Sequence, residues 1–198
     1  MALRVVVLAS GTGSLFQALI ESCDDSYQLL ALVTDNPTAG AIGLAEAAAV
    51  AVRVVEPANF ADREEWNIAL AAAIGEFRPQ LVVSAGFMRV LGAPVLQCFP
   101  DRIINTHPAL LPLFPGAHAV RDALSAGVTE TGSTVHVIDA GVDTGPVIVQ
   151  EATAVLPEDD EASLHERIKV VERRLLVDVV RRIAAHGLAV HDRKVTLA

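Results

Sequence analysis

Arg102-Ile103-Ile104-Asn105-Thr106-His107-Pro108-Ala109-Leu110-Leu111-Pro112 is the stretch on which the fold turns. Its first three residues begin a short apolar run that reads as a buried strand. Three prolines and a glycine then fall within nine residues, at Pro108, Pro112, Pro115 and Gly116. Proline removes a donor and fixes φ, so that density excludes both a helix and a central strand. Asn105 and His107 therefore stand where a strand ends and a stiff loop begins. In an open α/β sheet that edge is where ligands bind. Residues two apart on extended backbone share a face. A neutral amide donor and a group that titrates near neutral pH thus point the same way.

Working outward, strands and helices alternate through the first half. Leu3-Arg4-Val5-Val6-Val7-Leu8 is a strand run, followed by Ala9-Ser10-Gly11-Thr12-Gly13-Ser14 and then Leu15 to Ile20 with helical spacing. A glycine loop that opens a helix offers free N–H groups to an anion. It is not the dinucleotide fingerprint, because Phe16 stands at the third glycine position. A mononucleotide-type phosphate suits it better, although a tight turn before a first helix would show the same pattern. Strands follow at Gln28 to Thr34, Val52 to Val55 and Leu81 to Ser84, with an alanine-rich helix at Gly40 to Val50. Another helix runs from Asp62 to about Phe77, with Asp62 as N-cap and Glu65 closing a capping box. Arg63 in its first turn is a surface residue or a ligand contact. Ala85-Gly86-Phe87-Met88-Arg89-Val90-Leu91 could line a flat apolar pocket, but its spacing alone favours an ordinary helix start. This alternation predicts a doubly wound, mostly parallel sheet.

The second half changes pattern. Thr131 to Asp139 alternates, a glycine-rich loop follows to Pro146, and Val147 to Ala152 is another strand. Together they predict an antiparallel extension of the sheet. His136 reads as a packed core histidine. Asp139 and Asp143 read as turn formers, yet Asp143 would complete an amide, imidazole and carboxylate set with Asn105 and His107. A long last helix spans about Glu161 to His186, with Leu164, Ile168, Val171, Leu175, Val179 and Ile183 as its stripe. Glu172 sits at the edge of that stripe, either paired with Lys169 or Arg173 or reserved for a ligand. The tail from Gly187 is a loop or edge strand.

Composition narrows the classes. The 198 residues suit one domain and are 52% hydrophobic, which excludes a disordered chain. No apolar run reaches membrane-spanning length, and no signal-peptide core is evident, so a cytoplasmic protein is expected. Cys23 and Cys98 have no pairing or metal spacing and read as reduced core or helix residues. A net charge of −9 argues against nucleic acid. The histidines lack ligand spacing, so no metal is expected.

The quoted motifs, with Thr134-Val135-His136 and Asp143-Thr144-Gly145-Pro146, resemble those of the folate-dependent formyltransferases that act on phosphoribosylglycinamide. The resemblance covers nearly the whole chain in order. It implies a Rossmann-like single domain over 1–198, with a phosphoribosyl half at 1–100 and a folate and catalytic half at 101–198. It implies formyl transfer from 10-formyltetrahydrofolate to the amine of phosphoribosylglycinamide in purine biosynthesis, by a monomer or homodimer. Asn105, His107 and Asp143 match the family's catalytic set. Gly13, Ser14 and Leu15 would take the phosphate, with Glu172 and Lys169 also on that substrate. The folate would lie against Arg63, Met88, Arg89, Val90, Leu91 and Asn105, under the loop Asp139, Ala140, Gly141, Val142 and Asp143.

Three positions depart from the family pattern. Thr12 and Leu15 stand where asparagine is common, so the phosphate contacts there would be mostly backbone. Leu113 stands where many members carry a basic residue. Among sister enzymes, a methionyl-tRNA formyltransferase would be expected to add a C-terminal domain and a basic face, and a formyltetrahydrofolate hydrolase an N-terminal domain. A phosphate-binding module without catalysis would give Asn105, His107 and Asp143 no reason to converge.

Overall fold

The structure is a computed structural model that describes residues 1–197. Five strands run parallel: β1 (Leu3–Leu8), β2 (Tyr27–Thr34), β3 (Ala51–Val54), β4 (Leu81–Ser84) and β5 (Ile103–His107). Helices α1 (Ser14–Glu21), α2 (Gly40–Ala47), α3 (Arg63–Gly75) and α4 (Ala93–Cys98) connect them. After α5 (Ala119–Ser125), β6 (Glu130–Val137) joins β5 antiparallel and β7 (Val147–Ala154) joins β6 antiparallel. The sheet order is β3-β2-β1-β4-β5-β6-β7. The chain then forms the long α6 (Glu161–His186) and a small hairpin of β8 (Ala189–His191) and β9 (Lys194–Thr196). The doubly wound sheet, its antiparallel extension and the long helix are those expected from the pattern.

Strand alternation builds two cores. Val5, Val7, Val83, Ile104 and Val135 face one way, under Leu15, Phe16 and Leu19 of α1 and Leu175, Leu176 and Val179 of α6. Val6, Leu8, Val82 and Ile103 face the other way, under Leu70 and Ile74 of α3 and Val95 of α4. Both faces of these strands are buried, which is why they read as continuous apolar runs. The winding direction reverses between β1 and β4. The loops after those two strands carry Ala9–Gly13 and Ala85–Leu91, so the topology itself brings these motifs together.

Several local expectations are corrected. Residues 85–91 form no helix; α4 starts only at Ala93, with Gly92 as its N-cap. Asn67 of α3 holds this loop, accepting from Gly92 N–H at 2.6 Å and donating to the Arg63 carbonyl at 2.7 Å. Asp62 does cap α3, taking the N–H groups of Glu64 and Glu65. The return arm is displaced, because Glu65 accepts from Ala61 N–H at 3.2 Å instead. A full capping box occurs at α6, between Asp160 and Ser163. The alternating run ends at Val137, not Asp139. Cys98 is a helix residue, the last of α4, as expected, but Cys23 lies beyond α1 and neither cysteine is in the core. The tail pairs with itself as β8 and β9.

Candidate active site

The antiparallel register sets Asn105 of β5 opposite His136 of β6. Asn105 Nδ2 lies 3.2 Å from His136 Nε2. His136 Nδ1 is 3.1 Å from the Val137 carbonyl, to which it donates. Its Nε2 can then accept from Asn105 in the neutral ring, or donate to a carboxylate once the ring is protonated. Asp143 supplies that carboxylate, with Oδ1 3.6 Å from His136 Nε2 and Oδ2 3.4 Å from His107 Nδ1. The loop between β6 and β7 thus delivers Asp143 to the two strands. Gly145 closes this loop against β6, where a Cβ would stand 1.7 Å from the Val137 carbonyl oxygen.

His107 is 4% exposed. Its Nε2 donates to the Phe114 carbonyl at 2.8 Å, so the proline-rich loop fixes the ring. Burial lowers its pKa, outweighing the Phe114 carbonyl and Asp143, which act to raise it. The resting imidazole is therefore biased toward its neutral form. Asp143 by itself would favour the cation, but burial prevails. Asp143 is held below the usual carboxylate range by the His136 imidazole, then by Gly116 N–H at 2.8 Å and by His107, against burial. The acid is ionised beside a neutral base.

The strands present a different residue to the α6 side. Thr106, between Asn105 and His107, meets Glu172 of α6. Glu172 is 5% exposed. Burial lifts its carboxyl to about 7, against the Thr106 hydroxyl and the charges of Lys169 and Arg173. No ion pair reaches it among the described residues. Lys169 pairs with Glu166 at 2.6 Å. The structural alternative for Glu172, pairing with Lys169 or Arg173, is not what the fold adopts.

At the start of α1, Gly13 takes φ 81° as N-cap, and no side chain caps the helix. A Cβ on Gly13 would stand 2.8 Å from Ala41 Cβ of α2. Leu15 is buried in the core, so only its N–H can face a ligand, as can those of Ser14 and Phe16.

A cleft of about 500 Å³ lies between α3 and the loop after β4. It joins Arg63, Met88, Arg89 and Val90, which are far apart in sequence, and is walled by Phe60 and Trp66. Arg63 Nη2 donates to the Val90 carbonyl at 2.9 Å. Arg89 Nε pairs with buried Asp35 at 2.8 Å, and Ser10 Oγ accepts from Met88 N–H at 2.9 Å. These contacts tie the cleft to the end of β2 and to the glycine loop. Met88, 77% exposed, offers an apolar surface, whereas Leu91 is buried in the core beneath. Asp139, Ala140, Gly141 and Val142 lie on the β6–β7 loop and do not line this cleft.

Two participants escaped the sequence reading. His136 was legible only as a core histidine, since nothing in its strand announces the register with Asn105. Asp35 follows directly on β2, and an acid at the end of a parallel strand was a usable signal. Among the described residues, no three His, Cys, Asp or Glu side chains are grouped so as to hold a metal ion.

Comparison with known proteins gives the family. Residues 3–180 match the formyl transferase family model. A phosphoribosylglycinamide formyltransferase of Mycobacterium tuberculosis is 50% identical over 98% of this chain and 91% of its own length. A trifunctional purine biosynthetic protein of Drosophila melanogaster is 44% identical over 85% of this chain, which corresponds to 13% of that protein. The crystal structure of a glycinamide ribonucleotide transformylase from Symbiobacterium toebii superposes with a TM-score of 0.95 at 37% identity, covering 98% of this chain and 93% of that one. The chain belongs to the formyl transferase family, among its phosphoribosylglycinamide formyltransferases.

Proposed function

We propose that Asn105, His107 and Asp143 carry formyl transfer from 10-formyltetrahydrofolate to the amine of phosphoribosylglycinamide, the activity of this chain in purine biosynthesis. The observation that carries the assignment is their convergence: an amide donor, a buried neutral imidazole and an ionised carboxylate meet at the end of β5. The cleft fits the donor, because Arg63 and Arg89 offer cations to its carboxylates while Phe60, Met88 and Val90 offer apolar walls. The donor supplies the formyl carbon.

The protein's own groups do the rest. Unblocked N–H groups at α1 hold the phosphate, with Gly13 letting it approach. Glu172 hydrogen-bonds the same substrate, and Lys169 adds positive charge nearby. Both reactants are then fixed, which supplies a large share of the acceleration. As the amine adds to the formyl carbon, negative charge grows on the formyl oxygen. The second N–H of Asn105 Nδ2 is free to meet it, because the first is spent on His136. The same growing charge favours protonation of His107 beside it. The Asp143–His107 pair takes the proton released by the amine. It returns one to N10 as the C–N10 bond breaks, so charge balances. His136 holds Asn105 in place by accepting its first N–H. The Asp139–Asp143 loop closes over the folate ring, so residues from both halves of the chain serve both substrates.

The test is formyl transfer by wild type, His107→Ala and Asp143→Asn. The expected loss in kcat is about 10²–10³-fold or more for each, with folding preserved. Wild-type release of free formate without transfer would instead indicate a hydrolase. Variants as active as wild type would remove the assignment.

A further inference from the structure

The C-terminal hairpin reaches into the loop that carries Asp143. Its two-residue turn is Asp192-Arg193, and both take positive φ, at 48° and 60°. Such turns favour asparagine and glycine. An arginine there keeps a long side chain at a position where glycine would be less strained. That side chain leaves the hairpin and spans to residues 139 and 144. Arg193 Nη1 lies 3.3 Å from Asp139 Oδ2, and Nη2 donates to the Thr144 carbonyl. The other oxygen of Asp139 accepts from Gly141 N–H at 3.0 Å and from Thr144 Oγ at 2.6 Å. One guanidinium therefore fastens both ends of a loop whose middle, Ala140 to Val142, is exposed. Asp143 lies between the two fastened ends and itself takes φ 54°.

We propose that Arg193 is a positioning residue for formyl transfer, clamping the 139–144 loop so that Asp143 meets His107 and the loop covers the folate. The proposal rests on the site reading given above. The guanidinium is 67% exposed, so its grip weakens as ionic strength rises. It touches neither reactant and acts only through the loop.

The test compares wild type, Arg193→Gly and Arg193→Lys, with KM measured for each substrate and hydrogen exchange measured at residues 140–144. Arg193→Gly relieves the turn while deleting the clamp, so a role confined to the hairpin predicts no loss. The expected result is a melting temperature within about 2 °C of wild type, with KM for 10-formyltetrahydrofolate raised and kcat lowered, each roughly three- to five-fold. The KM for phosphoribosylglycinamide stays unchanged and the loop amides exchange faster. Arg193→Lys recovers part of the change, since an ammonium can meet Asp139 without also spanning to Thr144. Wild-type constants and exchange in Arg193→Gly would overturn the clamp. So would a parallel rise of both KM values with a large fall in melting temperature, which marks general destabilisation. An inactive wild type removes the site reading on which the clamp depends, whereas an active wild type with an unaffected Arg193→Gly removes the clamp alone.

Discussion

At the scale of single residues, the site is a set of groups whose protonation is set by what surrounds them. Glu172 gives the sharpest case. Its carboxyl is raised to about 7 by burial, so the folded chain holds a proton that the unfolded chain releases near the ordinary value of 4.5. Folded protein then binds more protons than unfolded, and stability falls as pH rises from about 4.5 to 7. Above that window the ionised, unpaired group costs on the order of 3 kcal/mol. Glu172→Gln should therefore raise the denaturation midpoint at pH 8 and leave it nearly unchanged at pH 4. It should also raise KM for phosphoribosylglycinamide. Urea titrations at the two pH values check the first part, and steady-state kinetics the second. Asn105, His107, Asp143 and Glu172 were all legible as candidates from residue type and place. The fate of Glu172 was not, because its carboxyl meets Thr106 only through the docking of α6 on the sheet.

At the scale of elements, the first strand, loop and helix form one device. Gly13 must take φ 81° for the chain to leave β1 and enter α1 with its N–H groups unobstructed. Its missing side chain also admits Ala41 of α2, 2.8 Å from where a Cβ would lie. Gly13→Ala meets both a left-handed backbone and a neighbour, so it should cost about 1–3 kcal/mol of stability. It should raise KM for the phosphoribosyl substrate far more than for the formyl donor. A urea titration and the two KM values test this, and equal effects on both substrates would count against a phosphate role for the loop. The element after β4 shows where periodicity misleads. Phe87, Val90 and Leu91 have helix-like spacing, yet Asn67 and Ser10 take the backbone N–H groups of Gly92 and Met88. Those partners come from other elements, so a local pattern could not reveal them.

At the scale of the molecule, the proposed site residues lie along the sheet's C-terminal edge. The cleft behind Met88 and Arg89 lies on the α3 side, while α1 and Glu172 lie on the α6 side. Ligand binding should therefore stiffen elements on both faces. At a hundred times its Kd, phosphoribosylglycinamide alone should stabilise the fold by about 2.7 kcal/mol. For a domain of this size that raises Tm by roughly 5–10 °C. Thermal denaturation with and without ligand measures it, and the shift should shrink in Gly13→Ala.

The sequence by itself determined the alternation of strands and helices, the antiparallel turn of the sheet and the span of α6, because each is written in local periodicity and in proline and glycine placement. It also determined the candidates Asn105, His107 and Asp143 by type. The tertiary structure alone decided that His136 faces Asn105, that burial lowers His107 despite Asp143, that Asp35 holds Arg89 and that Arg193 reaches the 139–144 loop. Each of those depends on strand register, on burial or on contacts across tens of residues, and such quantities exist only once the chain has closed on itself.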